Sequence, residues 1–412
     1  MAVYGYSTDE NGLPKIQDCK RQIFNTYNTA PEVTSLYKKF YDNENGLLDK
    51  FINFWSVVAQ KFKNSEYVIG YDIWNEPFPG GLYDDPLKMI SPGKADDAQL
   101  LPFYRKIDSS LRKIDPEFLL MFEPMPFPDY IQLFSDISIR GRFSEAPLQS
   151  ENLKQKQMLN YHSYCCSAGF KMCSKGEPQL KDAEFCRKLH KENVNLANEY
   201  SKSFGFGSII TEFGACFNTE ACFAEITSLT DAADEALNSW AYWMYKPFND
   251  FTTSCIDDKE GLFEKDGTLQ DKKVRALTRS YVEAFQGEPV FMKFFVEEKV
   301  FVFKFVLDRK INSPTRVYFY KELNYKDGIR LFSSHEKFNV YNDEVNYLGL
   351  KFEKEEIEIN KNKDQKDLSL PEEKELVTFM LTPKIYRIDS KKNQLIRKYY
   401  EEAKLKMIFE NQ

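Results

Sequence analysis

Two glutamates stand where apolar strand patterns break into polar residues: Glu76 in "YVIGYDIWNEPFPGG" (67–81) and Glu212 in "SIITEFGA" (208–215). Two carboxyl groups about 5–5.5 Å apart cleave a glycosidic bond with retention, one protonating the leaving oxygen while the other attacks the anomeric carbon. Glu76 is flanked by Trp74 and Pro77, the apolar setting that suits a general acid, and hydroxyl donors such as Tyr164 would hold Glu212 ionised as a nucleophile. Asn75, next to the acid, suits a hydrogen bond to the 2-hydroxyl of the reacting sugar. His162 and Tyr164, two residues apart in "MLNYHSY" (158–164), face the same way on a strand and form a second candidate group. A lone Glu at a strand end is ordinarily solvated or salt-bridged, which is the expectation for Glu123; His190 and His335 are expected to be structural or exposed.

Residues so far apart in the chain meet only if a repeating architecture brings strand ends together. Between residues 46 and 290 the sequence alternates helical and strand patterns. Amphipathic stretches at 46–62, 100–114, 186–204 and near 219–237 separate apolar strands at 67–74, 117–125, 158–164, 208–215 and 239–248. In the first helix Leu47, Leu48, Phe51, Phe54, Trp55 and Val58 share a face. Near-continuous apolar strands alternating with helices predict a parallel sheet covered by helices, built from βα units of barrel type. Each strand ends in polar or special residues, where barrel enzymes keep their chemistry. After a predicted helix at 274–285 the pattern changes to period two, in "VFMKFFV", "KVFVFKFVL", "TRVYFYKEL", "KFNVYN", "LGLKFEKEEIEI" and "LVTFMLTP". This predicts an antiparallel β-sandwich with a charged loop at 360–375 and a helical tail, and divides the chain into a barrel domain 1–286 and a sandwich domain 287–412.

The 412 residues, 42% hydrophobic and 29% charged, can bury a large core, and a net charge of −7 argues against a surface that neutralises phosphates, so nucleic acid is not an expected partner. No apolar run reaches the roughly 18 residues of a membrane helix, and the first 15 residues lack the regions of a signal peptide. Eight cysteines without a C-x-x-C pair fit disulfides, and hence an extracellular or lysosome-like compartment, better than a zinc site.

Together "GYDIWNEPFPG", "NYHSYC", "TEFGAC", "YWMYKPFND" and "VRALTRSYVEAFQGEP" resemble glycoside hydrolase family 5 and, within it, the endoglycoceramidase branch, across residues 1 to about 335. The resemblance implies a (β/α)8 TIM barrel followed by a β-sandwich, and double-displacement cleavage between glycan and ceramide of glycosphingolipids at a membrane or micelle surface. It places the acid/base on Glu76, the nucleophile on Glu212, substrate contacts on Asn75, His162 and Tyr164, and the sugar-stacking ring on Trp243, with Trp240 as second choice. No cofactor or metal is implied, since the mechanism needs carboxyl groups and water, and a monomer is expected. No strand–helix unit precedes "YVIG", so the barrel is expected to lack its first three βα units, with the Arg and His the family draws from its second and third strands. Alternative readings are a glucosylceramidase or β-glucanase of the same family, or a truncated, inactive glycolipid-binding protein. The loops 77–83 and 124–130 are candidate lipid contacts.

Overall fold

A computed structural model describes residues 9–11, 28–125, 143–165, 173–174, 177–246, 260–341, 344–353, 375–386 and 394–411. All five apolar stretches expected as strands are strands: β1 (Gly70–Asp72), β2 (Leu119–Phe122), β3 (Gln157–His162), β4 (Gly207–Glu212) and β5 (Ser239–Trp240). They form one parallel sheet in the order β1-β2-β3-β4-β5. Helices α1 (Pro31–Tyr41) and α2 (Leu47–Phe62) precede β1, α3 (Leu101–Leu111) joins β1 to β2, α4 (Ala183–Phe204) joins β3 to β4, and α5 (Glu220–Ala236) joins β4 to β5. This is the strand–helix repeat of a TIM barrel.

Alternation along each strand sorts its side chains. Tyr71 and Ile73 are buried with Leu48 and Ile52 of α2 and with Phe103, Tyr104 and Ile107 of α3, while Asp72, of opposite parity, pairs with Asn160 of β3 through a 2.7 Å hydrogen bond. Thr211 of β4 donates to the same Asn160, so a polar layer spans three strands directly below the strand ends. At Gly70 an added Cβ would lie 2.2 Å from the Leu119 carbonyl oxygen, in the β1–β2 pairing itself. Gly70→Ala is therefore expected to force these strands apart and to cost at least about 2 kcal/mol, seen as a lowered melting temperature and faster proteolysis.

The chain forms two compact units, one comprising residues 1–225 and 238–270, the other 226–237 and 271–412. The second unit contains α6 (Asp271–Leu277), β6 (Tyr281–Ala284), β7 (Gly287–Phe295), β8 (Val300–Leu307), β9 (Thr315–Tyr318), β10 (Ile329–Ser333), β11 (Asn339–Tyr341), β12 (Tyr347–Lys351), β13 (Leu376–Pro383), α7 (Gln394–Glu402) and β14 (Lys406–Asn411). Its strands make two antiparallel sheets, β14-β10-β13-β8-β7 and β11-β12-β9-β6, the sandwich that period-two patterning announces. Strand β8 is buried on both faces: Phe303 and Phe305 stack on Phe379, and Phe305 meets Phe352, whereas Val300 and Val302 pack with Ile396 of α7.

Two element expectations are corrected. The helix expected at 274–285 ends at Leu277, and Tyr281–Ala284 instead pairs with β9. The tail is helical only to Glu402, after which Lys406–Asn411 pairs with β10. The charged loop 360–375 lies outside the described residues except for Glu375.

Candidate active site

The β4 strand meets β3 with a slip of one residue. Tyr161 pairs with Ile210 but His162 pairs with Glu212, so Thr211 is the extra residue of a bulge. Strict alternation would send Thr211 and Glu212 to opposite faces. With the bulge, Thr211 reaches Asn160 while Glu212 reaches the ring of Tyr164, whose hydroxyl donates to Oε2 at 3.1 Å. Bulges re-aim side chains in this way beside functional sites.

At the end of β1 the chain turns at Glu76 with φ of +43°, a left-handed conformation that costs a non-glycine residue on the order of 1 kcal/mol. The turn directs its carboxylate at β3. His162 Nδ1 lies 2.9 Å from Glu76 Oε1, 3.5 Å from Glu212 Oε2 and 3.7 Å from Glu123 Oε1. Glu76 and Glu212 have carboxylate oxygens within 4.8 Å of one another, although they are remote in sequence. That separation is far below the 6.5–9.5 Å or so of an inverting pair.

Glu123 departs from its expectation. It is not a solvated surface residue but is 3% exposed, at the end of β2, and its Oε2 accepts the backbone N–H of Glu76 at 2.8 Å. Burial pushes its carboxyl up to about 8, with the His162 imidazolium opposing and Glu76 adding to the rise. Burial acts against a charged His162, yet the facing carboxylates of Glu123, Glu76 and Glu212 outweigh it and lift the imidazole to about 9. For Glu212, burial dominates and raises the carboxyl to about 7; His162 opposes this, Glu76 reinforces it, and the Tyr164 hydrogen bond lowers it only in part. The donor expected to keep Glu212 ionised is thus in place but is outweighed by burial. The carboxyls of Glu123 and Glu212 titrate together with the imidazolium they face rather than singly.

Glu76, His162 and Glu212 also present ligand atoms close enough for a cation. Metal ligation would require that imidazole to give up a proton that its carboxylate neighbours help it hold.

Trp243 lies past the end of β5, bridged to Gly214, and is 39% exposed with its indole N–H donating to Glu260 Oε2 at 3.2 Å. Trp240 sits within β5 and packs edge-on against the buried Phe213. Asn75 is exposed beside Glu76. The structure thus brings Glu76, Glu212, His162 and Tyr164 into one cluster, with Asn75 and Trp243 at strand ends of the same sheet. Of the loop 77–83, Phe78 and Leu82 are buried and Tyr83 is exposed, so most of its apolar surface anchors the loop itself; most of 124–130 lies outside the described residues.

The glycosyl hydrolase family 5 profile, Cellulase, matches residues 23–249, more than half of the sequence. The chain belongs to glycosyl hydrolase family 5. Within the family it sits on the endoglycoceramidase-like branch. It is 29% identical to an endoglycoceramidase of Cyanea nozakii over 77% of this chain and 58% of that protein, and 27% identical to one of Hydra vulgaris over 82% and 60%. The family 5 chain therefore spans about three fifths of the length of these curated relatives. Among solved structures it is similar in fold to endo-glycoceramidase II from Rhodococcus sp. in complex with ganglioside GM3, with a TM-score of 0.60, 17% identity, and coverage of 92% of this chain and 71% of that one.

Behind the cluster of this family 5 chain lies a second buried network. Ser163, between His162 and Tyr164, lies 2.8 Å from His190 Nδ1, and His190 Nε2 lies 2.8 Å from Glu225 Oε1. Glu225 also accepts the N–H of Cys165, which is bonded to Cys186, and the Ser163 N–H donates to the Glu212 carbonyl. His190 is fully buried, so this Ser–His–Glu chain locks the "HSY" turn onto α4 rather than meeting a substrate. The expected disulfides are present as Cys165–Cys186 and Cys216–Cys222; Cys19, Cys166 and Cys255 lie outside the described residues.

Proposed function

We propose that this chain is a retaining β-glycosidase that releases the glycan from ceramide in glycosphingolipids. The observation that carries the reading is the approach of the Glu76 and Glu212 carboxylates to within 4.8 Å across His162, the spacing class of double displacement. Glu212 attacks the anomeric carbon while Glu76 protonates the departing oxygen. Water, deprotonated by Glu76, then hydrolyses the glycosyl-enzyme. Tyr164 and His162 orient and neutralise Glu212, Asn75 binds the 2-hydroxyl, and Trp243 offers its exposed ring to a sugar face. The His162 imidazolium and the Tyr164 hydrogen bond oppose the effect of burial on Glu212 and favour the ionised form that attacks the anomeric carbon.

The ceramide part of the reading is supported by the relatives, which are named as endoglycoceramidases, and by a fold neighbour solved with ganglioside GM3. Two disulfides support an oxidising compartment, extracellular or lysosomal. No helix among the described residues is long and apolar enough to cross a membrane. The test is a product analysis of the full chain with ganglioside GM3, lactosylceramide, glucosylceramide and a cello-oligosaccharide in detergent micelles. The expected products are intact oligosaccharide plus ceramide from the first two. Cleavage confined to glucosylceramide or to the glucan would replace the substrate class, and binding without any cleavage would replace the enzyme by a glycolipid-binding protein.

A further inference from the structure

We propose that Glu123 is a positioning residue that locks the backbone turn at Glu76 and shares its imidazole partner, forming with Tyr104 a two-step brace from helix α3 to the acid of the site. The Tyr104 hydroxyl brackets one residue: it donates to the Glu123 carbonyl at 2.9 Å and accepts the Glu123 N–H at 3.0 Å. Tyr104 is fully buried on α3 among Phe103, Phe122 and Phe143, so its hydroxyl is fixed by packing. The backbone of Glu123 is thereby fixed, and its side chain reaches across to β1 to accept the Glu76 N–H at 2.8 Å.

Glu76 needs such an anchor. Its φ of +43° is strained for a residue with a Cβ, and a strained turn persists only where its surroundings over-determine it. Without Glu123 the Glu76 amide would point at a buried, unpartnered space, and the turn would relax toward ordinary extended backbone, moving the carboxylate away from His162. Oε1 of Glu123 faces His162 Nδ1 at 3.7 Å, and the other ionisable groups around Glu123 are Glu76, Asp72 and Tyr104. Burial raises the Glu123 carboxyl, so near neutral pH it spends much of its time protonated, with one oxygen still free to accept the amide.

This proposal rests on reading Glu76 as the acid of the site, so its test includes readouts that need no turnover. Glu123→Ala, Glu123→Gln and Tyr104→Phe are compared with the parent chain by kinetics on a fluorogenic aryl β-lactoside, by amide hydrogen exchange at Glu76 and by NMR titration of selectively labelled histidine, of which the chain has three. Glu123→Ala is expected to lose about 10–100-fold in kcat with KM within about threefold, because misplacing a catalytic group by about 1 Å costs that much. Its Glu76 amide should exchange at least about tenfold faster. Glu123→Gln retains the acceptor oxygen and should keep kcat within about fivefold and the Glu76 amide protected, while both variants lower the His162 midpoint by removing a carboxylate. A folded Glu123→Ala protein with parental kcat, Glu76 exchange and His162 midpoint overturns the proposal; so does equal loss of kcat in the Ala and Gln variants. Should Glu123→Ala not fold, Glu123→Gln and Tyr104→Phe decide: an unmoved His162 midpoint in the first together with unmoved Glu76 exchange in the second overturns it. If the parent chain hydrolyses nothing, the functional reading fails, while faster Glu76 exchange in Glu123→Ala still upholds the brace and unchanged exchange removes it.

Discussion

The Glu212→Ala protein is expected to turn over an aryl β-glycoside on the order of 10⁴-fold more slowly than the parent chain, with KM little changed, because a nucleophile acts only once the bond begins to break. Glu76→Ala should lose about 10²–10⁴-fold, the usual worth of a general acid, and the loss should nearly vanish for glycosylation with a dinitrophenyl leaving group, which departs without a proton. Azide separates the roles by stereochemistry. In Glu76→Ala it attacks the glycosyl-enzyme from the face opposite Glu212 and gives a β-glycosyl azide. In Glu212→Ala it occupies the vacated space and displaces the aglycone directly, giving the α-anomer. The opposite pairing of product and variant would exchange the two assignments, and near-parental rates in both variants would remove them. Both substitutions leave the bulge at Thr211 and the Ser163–His190–Glu225 network intact, so the losses should come without a large change in melting temperature.

The contrast between Glu212 and Glu123 marks what the sequence could and could not convey. Both follow apolar strands, and the five-strand order was legible because each strand is a near-continuous apolar run between amphipathic helices. The pairing register was not legible. Glu212 enters the cluster through a one-residue slip against β3, a property of two strands that neither reveals alone. Glu123 is expected at the surface because single acids at strand ends are usually solvated or salt-bridged. The available signal was its neighbours, "LLMFEPM", which offer no solvating side chain around it. In the second unit Ile329–Ser333 shows no period-two pattern because nearly all of its residues are buried, leaving no polar face to alternate with. On α2 the apolar residues are more numerous than the face they bury, so Phe54, which spacing places on one face with Leu48 and Phe51, is 61% exposed. At 281–284 a helical spacing of apolar residues was overridden by pairing of Tyr281 and Val282 with Tyr318 and Val317, just after Arg279 is tied into the core.

Arg279 carries the second large expected effect, this time on stability. It is 3% exposed, and its Nη2 alone contacts Asp231 at 2.7 Å, Asp234 at 2.6 Å and the Phe294 carbonyl at 3.0 Å, while Nε and Nη1 find no acceptor among the described residues. Asp234 is equally buried and also accepts the Phe294 N–H; burial holds its carboxyl above the ordinary range even against the attraction of Arg279. Removing the guanidinium leaves that carboxylate without compensation, so Arg279→Met is expected to destabilise the second unit by about 3–5 kcal/mol, roughly 6–20 °C in its melting transition. The sign with pH follows from linkage. A carboxyl raised further in the folded variant contributes full stability below its unfolded value of about 3.9 and loses it as pH rises through the folded value, so the deficit should be large at pH 7 and shrink toward pH 4. Because half of the guanidinium is already unsatisfied, the pair as a whole adds little. The double variant Arg279→Met/Asp234→Asn, which keeps an acceptor for the Phe294 N–H and no buried charge, should regain most of the loss and show a flat pH dependence. Melting curves at pH 4, 5.5 and 7 decide the matter: a deficit independent of pH, or a double variant no better than the single, would mean that Arg279 stabilises this unit through packing on Phe294 rather than through its charge.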